Sequence, residues 1–238
     1  DINKGDDVDV VYRSRLGGKE FVDKRVGGLF GGTPPLEALR FLVHEAATLD
    51  DHGSSEVGGS EEKVMMINDV ARAFFEAKAT RKICVELPEE CAEALGGRNV
   101  ALLNMSLYGT RDAAMNWQEE VVKEMYRWGF RRGQYNPCLY SHTEWKVRVF
   151  LHEEDCASVG SREALRKFKT KMEQRFEIKT SVIGTGLGEV QEARVLNRII
   201  RITDKGWEYE PDQRHAEMIV EKLGLKEAKS VETPIEEA

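Results

Sequence analysis

Acidic side chains occur at two points of the sequence where they could support metal-dependent chemistry. Glu153, Glu154 and Asp155 are consecutive between two short apolar runs, and Asp69 follows the apolar run at 64–67. Carboxylate oxygens are ligands that Mg²⁺ prefers, and two such ions roughly 4 Å apart can activate an attacking hydroxyl and stabilise a leaving pyrophosphate. If these acids converge, they can support nucleotidyl transfer. Taken alone, three consecutive acids also fit an ordinary solvated turn.

Two elements must bring these acids together. Alternating β-branched and aromatic residues predict a β-hairpin over 147–159, with the acids at its tip. The uninterrupted apolar run at 64–67 predicts a strand buried on both faces, with Asp69 at its end. If this strand lies beside the hairpin, Asp69 meets Glu154 and Asp155 although the chain separates them widely.

Apolar spacing and turn residues predict the remaining elements. Strands are predicted at 8–16, 82–88, 99–103, 138–140, 176–182 and 194–202, loops at 50–62 and 89–98, and helices beginning at 33–35, at Asp112, at Ser161 and near 212. The helix after Asp112 repeats apolar residues, including Trp117, every three or four positions, which is typical of a core-facing stripe. Because hairpins and helices alternate irregularly, the pattern favours an α+β fold around an antiparallel sheet over a βαβ repeat.

The composition indicates a soluble, globular chain. With 238 residues and 41% hydrophobic content, the chain can bury the core of one large domain or two small ones. It lacks both a signal peptide at its start and an apolar run of the roughly 20 residues that span a bilayer, which predicts an intracellular protein. The four cysteines form no C-x-x-C pair, so we expect reduced and mostly buried thiols.

The charge pattern allows two interpretations. A net charge of −7 counts against binding of nucleic acid. The segments 11–25 and 162–179 are nevertheless locally basic, the second with seven Lys or Arg residues, and could follow a phosphate backbone. Alternatively, both segments are ordinary solvated faces.

Eight short motifs follow one another along the chain, at 12–19, 36–40, 68–75, 106–117, 151–155, 176–179, 195–197 and 232–234. In order and approximate spacing they resemble the reverse transcriptase of copia-type LTR retrotransposons. The Ser-Leu-Tyr-Gly block, which begins at Ser106 and leads to Trp117, is the most specific of them, and the complete series covers most of the chain. The resemblance implies an RNA-directed DNA polymerase of a retrotransposon that transfers nucleotides from dNTPs to a primer end by a two-metal mechanism.

The resemblance also implies an architecture and a set of partners. The fold would be a right-hand polymerase with palm, fingers and a partial thumb around an antiparallel palm sheet. Its parts would be 1–62 (fingers, with the polar insertion at 50–62), 63–88 (first palm segment), 89–137 (second fingers segment and palm helix), 138–203 (palm with the acidic hairpin and the primer-positioning strands) and 204–238 (start of the thumb or connection). Expected ligands are two Mg²⁺ ions, which Mn²⁺ could replace, dNTPs, an RNA template and a DNA or tRNA primer. The remainder of the pol polyprotein is an expected partner and a membrane is not, and the expected location is a cytoplasmic particle or the nucleus.

The resemblance assigns roles to individual residues. Asp69, Glu154 and Asp155 match the catalytic, metal-binding acids, and the backbone carbonyl of Val70 is a further metal ligand. The nucleotide-binding positions are Arg15, Lys19, Val70, Arg72, Ala73 and Phe74, and the primer-positioning residues are Leu196 and Asn197. Arg15 and Lys19 would hold the triphosphate, and the Phe74 ring would exclude a 2′-hydroxyl and so select deoxynucleotides. The alternative for Phe74 is a plain core position.

Several residues depart from the family pattern. Glu154 replaces the first of two adjacent aspartates, Asp112 stands where a glutamine close to the nucleotide is common, and Asn197 replaces a glycine. The added methylene of Glu154 moves its carboxylate by about 1 Å, and misplacement on that scale can cost ~10²-fold in rate. Glu153 adds negative charge beside the primer, and Gly17-Gly18 replaces bulkier residues of a fingers strand. These departures leave open a second interpretation, a degenerate remnant that keeps the fold and some nucleic-acid affinity but polymerises nothing. A phosphatase or nuclease is disfavoured because the Ser-Leu-Tyr-Gly block would have no role in it.

Overall fold

The computed structural model describes residues 2–3, 12–13, 17–21, 32, 34–48, 62–94, 96–211 and 213–228. Most of the predicted strand 8–16, the polar insertion 50–62 apart from Glu62, and the last ten residues lie outside these ranges. Of the predicted site residues, Arg15 lies outside them as well.

Strands and helices alternate irregularly along the described chain. The strands are β1 (Ile2–Asn3), β2 (Tyr12–Arg13), β3 (Lys63–Val70), β4 (Cys84–Glu86), β5 (Val100–Leu102), β6 (Arg131–Arg132), β7 (Leu139–His142), β8 (Val147–His152), β9 (Asp155–Ser161), β10 (Ile178–Ile183), β11 (Glu192–Val195), β12 (Arg198–Thr203) and β13 (Gly206–Glu210). The helices are α1 (Leu36–Ala47), α2 (Glu89–Ala94), α3 (Ala113–Arg127), α4 (Arg162–Arg175) and α5 (Gln213–Lys222), and a 3₁₀ helix covers Ala73–Glu76.

The main sheet has six strands in the order β10-β3-β9-β8-β7-β6, and every neighbouring pair is antiparallel. Strand β3 lies inside this sheet because its residues are apolar on both faces, as the run at 64–67 predicts. The hairpin predicted over 147–159 is formed by β8 and β9. The predicted α+β fold with an antiparallel sheet is therefore confirmed.

The two faces of the sheet build two separate cores. Val64 and Met66 of β3 belong to a core that includes the apolar sides of α3 and α4. Met65 points to the opposite face, where the core contains α1 and residues of β11 and β12, and Ile67 packs against it. Because side chains alternate along a strand, Asp69 lies on the same face as Met65 and Ile67. The sheet thus presents the first acid on the face that carries α1.

Local sequence signals explain most helix boundaries. The hydroxyl of Ser161 accepts a hydrogen bond from the backbone N–H of Ala164 at 3.2 Å, so Ser161 caps α4 as predicted. Asp112 precedes α3, and Gly129 follows it with φ 90°, a left-handed conformation that suits glycine. The predicted final helix is also confirmed, as α5.

Three sequence-based expectations are wrong. The segment 194–202 is not one strand, because the chain reverses at Leu196 and Asn197 between β11 and β12. The predicted loop 89–98 contains α2, where Glu89 and Glu90 follow Pro88 and favour a helix start. The thiols are free, yet Cys84 and Cys91 are exposed, so only half of the four are buried. Strand β13 was not predicted at all.

The described helices include none that is both long and apolar enough to cross a membrane.

Candidate active site

Asp69 and Asp155 face each other across neighbouring strands. Their Cα atoms are partners in the antiparallel register of β3 and β9, in which Asn68 pairs with Cys156 and Ile67 with Ala157. Directly opposed residues in such a pair have Cβ atoms about 4.5–5.5 Å apart and project to the same face. The register therefore brings the first and last of the predicted acids together at one end of the sheet.

Glu153 and Glu154 form the two-residue turn between β8 and β9. Glu153 has φ 50°, an uncommon left-handed value for a residue with a side chain. The backbone N–H of Val70 donates to the carbonyl oxygen of Glu154 at 3.2 Å. This bond ties the turn to the end of β3, so Glu154 lies beside Asp69 and Asp155.

The acidic end of the sheet is electrostatically crowded. Burial raises the pKa of Asp155 above its ordinary value, and the nearby carboxylates of Glu154, Asp69 and Glu153 raise it further, while His152 lowers it. Such crowding favours a bound cation, because a positive charge would offset both the burial and the repulsion. Within the described ranges, however, no three His, Cys, Asp or Glu side chains are already arranged to hold a metal ion. The donor set suits Mg²⁺ in its chemistry, but its side chains would have to close around the ion.

A tryptophan of α3 holds the tip of the acidic hairpin. The indole Nε1–H of Trp117 donates to the carbonyl oxygen of Glu153 at 2.6 Å. The Trp117 side chain is almost fully buried and packs edge-to-face on Phe176, with ring centroids 5.2 Å apart. The sequence placed Trp117 on the core stripe of α3 and gave no sign of its bond to the hairpin. The sequence feature that could have indicated a role beyond the core is its position in the Ser-Leu-Tyr-Gly block.

Aromatic rings lie immediately after the first acid. The 3₁₀ helix follows β3 and carries Ala73, which is fully buried, and Phe74, which is half-buried. The ring of Phe74 packs against Tyr108 at 4.4 Å between centroids, and Phe75 contacts the same ring edge-on at 5.5 Å. Phe74 also packs against the core on the α3 face, so the structure is compatible with both the nucleotide-selecting role and a core position. Tyr108 is a neighbour that sequence reasoning did not identify.

The segment 17–21 docks against the turn that follows Tyr108. The backbone N–H of Gly18 donates to the carbonyl of Tyr108 at 2.6 Å. Gly109 has φ 86°, and a Cβ at this position would lie 1.9 Å from the carbonyl oxygen of Gly18. Only glycine fits such an approach between two backbones. The docking places Lys19, whose side chain is exposed, on the segment next to the Phe74 and Tyr108 rings.

Arg72 and Asp112 both form ion pairs within the protein. Arg72, with φ 55°, forms an ion pair with Glu177, and both side chains are about two-thirds exposed. Asp112 is 1% exposed and pairs with Arg81 at 2.9 Å, and Arg81 also binds both carboxylate oxygens of Glu20 at 3.0 Å. Asp112, which stands where a glutamine close to the nucleotide is common in the family, is thus buried and paired. This Glu20–Arg81–Asp112 cluster fastens the segment 17–21 to the start of α3.

A lysine lies on the other side of Asp69. Lys179 of β10 is the Cα partner of Asp69 in the register of β10 and β3, and its side chain is exposed. Asp69 is thus flanked by Asp155 on one neighbouring strand and by Lys179 on the other. The sequence motif at 176–179 contains this lysine but does not reveal its neighbour.

Comparisons with known proteins identify the family of this chain. The family model described as reverse transcriptase (RNA-dependent DNA polymerase) matches residues 55–237. The chain belongs to the reverse transcriptase family. The retrovirus-related Pol polyprotein from transposon TNT 1-94 of Nicotiana tabacum is 26% identical over 234 residues, which are 95% of this chain and 16% of that polyprotein. The resemblance to the reverse transcriptase domain of a copia-type retrotransposon is thereby confirmed. This domain spans about one sixth of that curated relative.

A solved structure also resembles this reverse transcriptase domain. The apo telomerase of Candida tropicalis, truncated from its C-terminal domain, aligns with a TM-score of 0.40 and 10% identity. The alignment covers 74% of this chain and 38% of the telomerase chain.

The predicted primer-positioning residues of the reverse transcriptase domain form a tight turn. Leu196 and Asn197 join β11 to β12 and have φ 47° and 60°. The Leu196 side chain packs against the core on the α1 face of the main sheet. This is the face to which Asp69 and Asp155 project, so the turn and the acids share one side of the molecule.

The basic segment 162–179 is largely neutralised by neighbouring acids. Ion pairs engage Arg162 with Glu62 and Glu189, Lys167 with Glu163, Lys169 with Glu173, and Arg175 with Glu76, Glu120 and Glu124. Arg166, Lys171 and Lys179 form no ion pair with another described residue. Most of the cations in this segment are therefore engaged in ion pairs and are not available to bind a phosphate backbone.

Proposed function

We propose that this reverse transcriptase domain is an RNA-directed DNA polymerase that adds dNTPs to a primer end. The observation that carries the proposal is the cross-strand register of Asp69 and Asp155, with Glu154 tied to the same strand end through Val70. In this proposal the main sheet is the palm, the segment 17–21 with β4 and β5 belongs to the fingers, and the chain from 204 starts the thumb.

Several of the predicted residues have surroundings that support a role. Asp69, Asp155 and Glu154, together with the carbonyl of Val70, would hold two divalent ions, Mg²⁺ or Mn²⁺. Reverse transcriptases generally use divalent metal ions, and ions bound here would activate the primer hydroxyl and stabilise the leaving pyrophosphate. The exposed cations of Lys19 and Lys179 would offset charge on the triphosphate. The Phe74 ring, held by Tyr108, would lie under the sugar and exclude a 2′-hydroxyl.

The substrates and surroundings follow from the family. The template would be RNA, the primer DNA or tRNA, and the remaining parts of the pol polyprotein would supply the other steps of transposition. The site of action would be a cytoplasmic particle or the nucleus.

Primer extension tests the proposal directly. Purified protein is incubated with a labelled DNA primer on an RNA template, dNTPs and either Mg²⁺ or Mn²⁺. We expect weak extension that rises at least severalfold in Glu154→Asp, because the shorter side chain restores the usual reach of the carboxylate. Asp69→Asn should abolish extension. Glu144→Asp makes the same chemical change in the exposed turn at the other end of β8 and should leave the rate unchanged.

Equal, background-level incorporation by the wild type and Glu154→Asp would contradict the polymerase. It would favour the second candidate, a non-catalytic remnant, for which the specific observation is Glu154 in place of an aspartate. That candidate predicts salt-dependent affinity for an RNA–DNA hybrid without any extension. Fluorescence anisotropy at several salt concentrations measures this affinity.

A further inference from the structure

We propose that Trp117 is a positioning residue that sets the place of the acidic turn relative to Asp69, a role that rests on the proposed function of that site. Its indole N–H is the donor to the Glu153 carbonyl at 2.6 Å. Trp117 makes no contribution to the chemistry itself.

The turn is tied on two sides through successive carbonyl groups. The Glu153 carbonyl accepts from Trp117 of α3, and the Glu154 carbonyl accepts from the backbone of Val70 in β3. Glu153 adopts a left-handed φ of 50° that costs about 1 kcal/mol for a residue with a side chain. The bond to Trp117 stabilises this conformation. It thereby fixes the backbone from which Glu154 and Asp155 project.

Burial makes the tether rigid. Trp117 is 3% exposed, and its ring packs on Phe176 at the end of α4. A buried indole N–H that loses its acceptor is left unsatisfied, which raises the cost of moving the turn away. Asp69, Glu153 and Glu154 lie close enough to Asp155 for their negative charges to repel it. The bond from Trp117 opposes this repulsion when no cation is bound. The tether keeps the acids close enough for an ion to bind them.

The matched pair of variants is Trp117→Phe and Trp128→Phe. Both remove an indole N–H from a ring that packs on Phe176, Trp117 near the start of α3 and Trp128 at its C-terminal cap. Trp128 also packs edge-on against Phe168. Trp117→Phe keeps an aromatic ring on Phe176 but deletes the donor to Glu153 and part of the ring volume, and Trp128→Phe loses the same volume without losing a bond to the hairpin. Thermal unfolding of both variants shows whether each remains folded.

Hydrogen–deuterium exchange of the metal-free proteins gives the first readout. Peptides covering 151–156 should exchange at least fivefold faster in Trp117→Phe than in the wild type, and at the wild-type rate in Trp128→Phe. The second readout is Mn²⁺ binding, followed by the loss of the free-ion electron paramagnetic resonance signal. We expect affinity to fall about 3- to 10-fold in Trp117→Phe, the factor associated with one hydrogen bond, and less than twofold in Trp128→Phe.

Three outcomes separate the positioning role from the proposed function. Unchanged exchange at 151–156 in Trp117→Phe would overturn the positioning role. Equal losses of Mn²⁺ affinity in both variants would overturn it too, because the effect would then reflect general loosening of the core. Faster exchange in Trp117→Phe, with no Mn²⁺ binding by the wild type at millimolar concentrations, would support the tether and refute the metal site of the polymerase.

Discussion

Removal of Arg81 should destabilise the protein through the buried carboxylate of Asp112. Arg81 binds Asp112 at 2.9 Å and Glu20 at 3.0 Å, and Asp112 is 1% exposed. In Arg81→Met the aliphatic volume remains, but Asp112 loses its counter-charge and must be buried either unpaired or protonated.

The size of the effect follows from burial. Removing one partner of a fully buried ion pair costs about 3–5 kcal/mol. The side chains of Arg81 and Glu20 are 27% and 23% exposed, so solvent screens part of the interaction. We therefore expect a loss of about 2–4 kcal/mol, which corresponds to a shift of roughly 1 M in the urea midpoint for a chain of this size.

The dependence on pH gives the same cluster a second signature. The hydrogen bonds from Arg81 lower the pKa of Glu20, and although burial opposes ionisation of Asp112, Arg81 also holds the pKa of Asp112 below its ordinary value. A carboxylate with a lowered folded-state pKa stabilises the fold above its unfolded pKa and loses this contribution as the pH falls through the folded value. The difference in the free energy of unfolding between the wild type and Arg81→Met should therefore have its largest value at pH 7 and shrink below about pH 4.

Urea unfolding followed by circular dichroism measures both effects. Lys167→Met is the control, because it breaks an exposed ion pair with Glu163 and should leave the urea midpoint nearly unchanged. The double variant Arg81→Met/Asp112→Asn should recover about half of the loss, since no charge is then buried unpaired. A loss below 0.5 kcal/mol in Arg81→Met, or no recovery in the double variant, would refute the reasoning.

Three further predictions concern the site and its supports. Asp155→Asn should abolish primer extension yet raise the melting temperature at pH 7 in EDTA, because burial and neighbouring acids raise the pKa of Asp155 and its ionised form destabilises the fold. This gain in melting temperature should vanish below the ordinary pKa of aspartate. A lower melting temperature at pH 7 would contradict the prediction. Gly109→Ala should lower the free energy of unfolding by well over 1 kcal/mol and weaken dNTP binding, because the new Cβ would meet the Gly18 carbonyl oxygen. Gly224→Ala is the control: Gly224 has φ 67° with nothing within 4 Å of the Cβ position, so the loss in the same unfolding assay should be about 1 kcal/mol. Phe74→Val should raise incorporation of ribonucleotides relative to deoxynucleotides at least tenfold in competition assays, and an unchanged ratio would return Phe74 to a purely structural role.

Elements with a strong local pattern were predictable. The run 64–67 is apolar at every position, which is typical of a strand buried on both faces, and β3 is that strand. Ser161 and the apolar spacing after it define α4, because capping and the helical period are local properties. The prediction of one strand over 194–202 was wrong because a run rich in β-branched residues gives no sign of a turn when neither glycine nor proline marks it. Here Leu196 and Asn197 adopt the left-handed conformation and form that turn.

Individual site residues were predictable to different degrees. The motifs predicted that Asp69 and Asp155 lie close together, and the strand register places them opposite each other. Asp112 could not be placed, because a sequence position beside a nucleotide-binding motif does not reveal that Arg81 lies within 2.9 Å. Trp117 was assigned to the core correctly, yet the acceptor of its N–H lies on a hairpin 36 residues away.

The sequence by itself determined the family, the main elements and the identity of the acids, because motif order, apolar periodicity and turn chemistry are written along the chain. The tertiary structure decided which residues meet. The pairing of Asp69 with Asp155 and Lys179, the tether from Trp117 to Glu153, and the close approach of Gly18 and Gly109 all join distant segments. Strand register and side-chain partners depend on the packing of the whole sheet against its helices, and a shift of one residue would turn Asp69 to the opposite face.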